Sequence, residues 1–187
     1  MGYTHYWHRE KTIPQLKFEA IARDFKTLIP IMEGMGVRLG DGLGEGEPII
    51  TGNMISFNGI HKCGHPQKSE ISIPWPSETA GGIANYKESA GGGVKTGTWF
   101  AGAVIDKRVC NGSCDYEICS LTRIMKPSDW NKPDKDGLYF SCCKTAFRPY
   151  DLAVTAFLII AKHHLGEHFK VFWDGEDQHW FDAKMLC

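Results

Sequence analysis

The sequence predicts an α+β chain, a β-α-β-β-β-α-β sandwich with one buried helix and a long glycine-rich insertion. Three observations lead there. Aromatic residues alternate at period two near the N-terminus, two segments show helical periodicity, and later runs rich in aromatic and β-branched residues lie between turn signals. The 187 residues, 42% hydrophobic and 23% charged, suit one folded core rather than a disordered, collagenous or coiled-coil chain. A single domain over 1–187 is expected, with residues 60–113 inserted within it.

Tyr3, His5 and Trp7 alternate with Thr4, Tyr6 and His8, which predicts a strand over 3–8. After Pro14, the residues Phe18, Ile21, Phe25, Leu28 and Ile29 recur at helical spacing. They predict an amphipathic helix that Pro30 ends or kinks by removing an amide donor. Residues 40–46 form an acidic glycine loop, which repels phosphate. Ile49 to Phe57 reads as one bent strand or a hairpin around Gly52-Asn53. Asp115 to Ile124, Gly137 to Thr145 and His168 to Trp173 are three further strands. Between the last two lies the strongest helix of the chain, opened by Pro149 and Asp151 and stopped by Gly166. Its residues Leu152, Val154, Phe157, Leu158, Ile159 and Ile160 leave no polar face, so it is expected to be buried on nearly all sides. A short helix near 180–186 closes the chain. Residues 60–113 hold Gly81-Gly82 and Gly91-Gly92-Gly93 with little periodicity, and an insertion accounts for them best.

A net charge of −1 excludes the broad basic field that duplex DNA binding needs, so any anion site is local. The longest apolar run, Leu152 to Ala161, is about half the roughly 20 residues of a membrane span. No membrane association, a cytoplasmic setting and reduced cysteines are expected.

The segment Cys142 to Asp151 runs from a strand end through a turn carrying Lys144, Thr145 and Arg148 into the buried helix. Free amides at a helix start, with two cations and a hydroxyl, make a phosphate site. The period of the first strand puts His5 and Trp7 on one face, where an indole stacks on a base and an imidazole donates to phosphate or moves a proton. His163 and His164 point about 100° apart, so one helix cannot aim both at one ligand. Cys110, Cys114 and Cys119 approach His61, Cys63 and His65 if the insertion folds back on its base. Zinc held by Cys63, Cys110, Cys114 and Cys119 is the minority reading, because the spacing lacks paired Cys-x2-Cys knuckles. Reduced, half-buried thiols are favoured, and no cofactor is expected. Ser89 to Thr96 looks like a phosphate loop but lacks glycine where Ser89 and Val94 stand. Asp174 to Asp177 reads as a polar turn, with cation binding the alternative.

The opening Met-Gly-Tyr-Thr-His-Tyr-Trp, with Cys143-Lys144-Thr145-Ala146, Pro149-Tyr150-Asp151, Ala161-Lys162-His163-His164 and Asp174-Gly175-Glu176 downstream, resembles a family of small phage and bacterial proteins. The resemblance covers residues 1–60 and 114–187 and leaves the middle uncovered, in keeping with an insertion. It implies a phage or bacterial origin and a cytoplasmic setting, the host cytoplasm for a phage protein. It implies no particular reaction.

The leading functional expectation is a phage-type accessory protein that binds a phosphorylated nucleotide-like small molecule and sequesters a host immune signal. Lys144, Thr145, Arg148 and the helix amides would hold phosphate, His5 would donate to it, and Trp7 or Tyr150 would stack on the base. A homo-oligomer is expected, because one small domain offers limited concave surface. The first alternative is a metal-independent phosphodiesterase, with His5 and His163 or His164 as acid and base and Lys144 stabilising the transferring group. The second is a protein-inhibitor module.

Overall fold

The computed structural model describes residues 3–67, 69–71, 99–100, 103–104, 108–126, 128 and 131–187. The glycine clusters at 81–82 and 91–93 and the loop at 89–96 lie outside them. The class is α+β, as the sequence predicts, but the strands form more than one sheet.

The first sheet centres on β1 (Thr4–Arg9), flanked antiparallel by β10 (Tyr139–Lys144) and β11 (Phe169–Trp173). His5 stands opposite Cys143 on one side and Trp173 on the other. Tyr3, His5 and Trp7 are buried while Tyr6 and His8 are partly exposed, the alternation that a one-sided sheet imposes. The second sheet centres on β4 (Met54–Gly59), which pairs with β2 (Leu39–Gly40), β3 (Ile49–Ile50) and β9 (Cys119–Thr122). Of the bent strand and the hairpin that the sequence allows, β3 and β4 form the hairpin, with Ile50 opposite Ile55. The buried Arg9 guanidinium joins the two sheets by donating to the carbonyls of Glu10, Lys11, Thr122 and Arg123. Burial brings its pKa down to about 10.

Two short pairings belong to the predicted insertion. β5 (Ser69–Ile71) runs antiparallel to β8 (Arg108–Cys110), with Ser69 opposite Cys110. Between them in the chain, β6 (Trp99–Phe100) pairs with β7 (Ala103–Val104). The β5–β8 pair brings the two ends of the insertion together.

Helix α1 (Gln15–Gly34) continues past Pro30, so of the two effects expected of the proline, it does not end the helix. Phe18, Ile21, Ala22, Phe25, Leu28 and Met32 are buried along one face, and each large side chain contributes about 1.5–3 kcal/mol. That outweighs one missing hydrogen bond at an exposed proline. Gly36, at φ 84°, then stops the helix, with the Val37 amide donating to the Met32 carbonyl. Pro30→Ala restores a donor on a solvent-facing turn and should raise stability by about 1 kcal/mol in urea unfolding. A loss of stability would mean that the ring itself packs.

Helix α2 (Asp151–Leu165) is buried from Asp151 to Leu158 without a break and ends at Gly166, φ 60°. Phe157 meets Phe25 and Phe57 with ring centroids 5.4 and 5.8 Å away, so one aromatic cluster locks both helices to β4. The short helix α3 (Phe181–Leu186) packs on α2 and closes the fold.

Candidate functional site

The start of α2 is where the expected phosphate site and the structure part. The amides of Asp151, Leu152, Ala153 and Val154 already donate to the carbonyls of Arg148, Pro149 and Tyr150. A helix start whose donors are spent on its own lead-in turn has none to offer an anion. Lys144 lies over the Tyr116 ring, 5.6 Å from its centroid, and Arg148 donates to the Ser113 carbonyl at 3.1 Å. The two cations therefore do not converge on the helix. Tyr150 is fully buried and gives its hydroxyl proton to the Glu117 carbonyl, while Trp7 sits in the hydrophobic core. Neither ring is open to a base.

The turn itself explains the rearrangement. Ala146 and Phe147 have φ of 49° and 57°, a left-handed conformation that costs a residue with a Cβ about 1–2 kcal/mol. This pair of unusual residues folds the turn under the N-terminus, where the amides of Thr145 and Ala146 both donate to the Tyr3 carbonyl. It also aims the Phe147 carbonyl at the Val109 amide of β8, 3.0 Å away. Strain of this kind collects at functional sites.

What the turn assembles is a buried polar network. His5 Nε2 lies 2.7 Å from Asp151 Oδ1, and the Thr145 hydroxyl donates to the same oxygen at 2.6 Å. Arg108 Nη2 stands 3.3 Å from Asp151 Oδ2 and 3.7 Å from Asp182 Oδ2, and its guanidinium stacks 4.4 Å above the Phe147 ring. His5 and Asp151 are wholly buried, and Arg108 is 1% exposed. Burial favours a protonated Asp151, but Arg108, His5 and Thr145 outweigh it, so the carboxyl titrates below its ordinary range.

Around this network stand aromatic rings in edge-on and tilted contact. Tyr3 and His5 have centroids 4.9 Å apart, His5 and Trp180 5.5 Å, and Trp173 and Trp180 4.9 Å. Tyr3 Oη, His5 Nδ1, Trp173 Nε1 and Trp180 Nε1 are all buried; His5 Nδ1 and Trp173 Nε1 complete no hydrogen bond among the described residues, and Tyr3 Oη and Trp180 Nε1 have only each other there. Burial, then the Asp151 charge, raises the Tyr3 pKa, so its phenol stays protonated. Phe147, Trp173 and His179 are only partly buried and give the cluster an edge toward solvent.

His163 and His164 lie elsewhere, twelve and thirteen residues along α2, roughly 18 Å from Asp151 at 1.5 Å per residue. His164 pairs with Asp24 at 2.7 Å. The structure thus gives His5 a carboxylate partner in place of the expected second histidine. Asp174 accepts from the Tyr6 hydroxyl, and Glu176 and His179 cap one another's backbone. That segment is a polar turn.

A second cluster gathers at the insertion base. Cys63, His65, Cys110 and Cys114 place one ligand atom each within 4.8 Å of one another. Cys119, the fourth residue of the sequence-based set, lies instead in the core against Cys143, where burial and that neighbouring thiol raise its pKa far above normal. β9 alternates inward at Cys119, so its thiol joins the hydrophobic core. His61 also departs, pairing with Asp115 at 3.0 Å. No protein-family model, curated protein or solved structure matches the chain.

Proposed function

We propose that the chain binds a small, flat, nucleotide-like molecule at the cluster of Tyr3, His5, Trp173 and Trp180. The supporting observation is that, among the described residues, His5 Nδ1 and Trp173 Nε1 are buried without a hydrogen-bond partner, while the Tyr3 hydroxyl and the Trp180 indole N–H beside them have only each other. Each such group costs about 1–3 kcal/mol unless something pairs with it. Two indole N–H groups and a phenol favour a ligand rich in acceptors, as heterocyclic bases and phosphates are. Two carboxylates, Asp151 and Asp182, flank Arg108, so the network beside the cluster offers no surplus positive charge. The base and sugar are therefore assigned to the cluster and the phosphate to its rim. Capture of a host signalling nucleotide is the narrower form of the proposal, supported by the phage resemblance alone.

The His5–Asp151 pair favours a second reading, a metal-independent phosphodiesterase. A carboxylate on Nε2 fixes the imidazole and leaves Nδ1 to take or give a proton. One assay separates the readings. The protein is incubated with cyclic dinucleotides and ADP-ribose derivatives, followed by tryptophan fluorescence, then heated and the released molecules analysed. Binding should change the fluorescence and release intact ligand, whereas new products indicate turnover. Trp173→Leu should weaken binding about 5–150-fold, the equivalent of one lost stacking partner. If no member of the panel binds, the proposal fails.

A further inference from the structure

We infer that Cys63, His65, Cys110 and Cys114 form a structural zinc site that clamps the insertion to the domain. A zinc ion with sulfur ligands at about 2.3 Å and nitrogen at about 2.0–2.1 Å sets tetrahedral edges of about 3.8 Å between sulfurs and about 3.5 Å from sulfur to nitrogen. The corresponding distances are 3.5 Å from Cys63 to Cys110 Sγ, 3.6 Å from Cys114 to Cys110 Sγ, and 3.3 Å from His65 Nδ1 to Cys114 Sγ. A disulfide requires about 2.05 Å and uses sulfurs in pairs. Here three sulfurs converge with an imidazole nitrogen, a donor set that suits zinc.

The placement in the fold says why a metal belongs there. Two ligands precede β5 and two belong to β8 and the turn after it, so the ion ties together the segments entering and leaving the insertion. Among the described residues three pairs join β5 to β8, and a ladder of that length is marginal alone. Arg108 is two residues from Cys110 on β8, so the clamp also holds the guanidinium over Phe147. The zinc site is independent of the nucleotide reading, and either stands if the other fails.

The test is metal analysis of the full-length purified protein, with Co2+ titration of protein stripped by a chelator. Native protein should carry about one zinc per chain, and Co2+ should give the visible absorption of tetrahedral thiolate coordination. Cys63→Ser and His65→Ala should lower zinc content severalfold, whereas Cys119→Ser and Cys142→Ser should leave it unchanged. Zinc well below stoichiometry with no cobalt spectrum overturns the site. So does a disulfide among the three cysteines, or iron in place of zinc. The cobalt titration uses the unmutated chain, so it decides the matter even if the variants do not fold.

Discussion

Asp151→Asn is expected to cost the folded chain about 3–5 kcal/mol in urea unfolding at pH 7, although it alters the side chain's shape hardly at all. Asp151 is fully buried and serves His5, Thr145 and Arg108 together. Removing its charge leaves a buried guanidinium deprived of its nearer carboxylate, and breaking one side of a buried pair costs this much. Thr145→Val removes one hydrogen bond to a charged acceptor and should cost less, about 1.5–3 kcal/mol. The pH dependence has a definite sign. The folded pKa of Asp151 lies below its unfolded value of about 3.9. Its contribution is therefore complete above about pH 4 and is lost as pH falls through the folded pKa. The wild-type chain should lose stability on acidification below pH 4, and Asp151→Asn should lose less. If the variant comes within 1 kcal/mol of wild type at pH 7, the network does not support the fold.

Both halves of this network are visible in the sequence, but their meeting is not. The period-two aromatics identify β1 and place His5 and Trp7 on the buried face. The all-apolar pattern and Gly166 identify α2. Local periodicity reports which side chains leave water and not what they meet 146 residues away, as His5 meets Asp151. The phosphate-site expectation failed for a related reason: two left-handed residues without glycine at 146–147 carry no turn signature, and they spend the helix-start amides inside the chain. Arg108 gave no signal at all, being one cation in a stretch read as insertion. The cysteine spacing located three of the four clustered ligands. It chose Cys119 over His65 because spacing does not reveal which face of β9 a cysteine occupies.

Gly59→Ala should be nearly as damaging, by a different mechanism. A Cβ built at Gly59 would lie 2.0 Å from the Cys114 carbonyl oxygen and 2.5 Å from its carbon. These are backbone atoms, so no rotamer change relieves the clash, and the chain around Cys114 must move. The same packing recurs beside it: at Gly44, φ 73°, a Cβ would meet the Gly59 carbonyl at 2.5 Å. Part of the glycine excess thus serves close backbone contact between the 40–46 loop, the end of β4 and the Cys114 segment. Overpacking against backbone should cost about 3 kcal/mol or more, a Tm loss of roughly 6–12 °C for a chain of this size. Gly34→Ala is the control, because a Cβ there meets nothing within 4 Å at the end of α1. It should change Tm little or raise it slightly. Because Cys114 is a proposed zinc ligand, Gly59→Ala should also lower zinc content while leaving all four ligand side chains in place. A Gly59→Ala protein with wild-type Tm would show that the Cys114 segment yields freely, and a clamp of fixed geometry could not then be built on it.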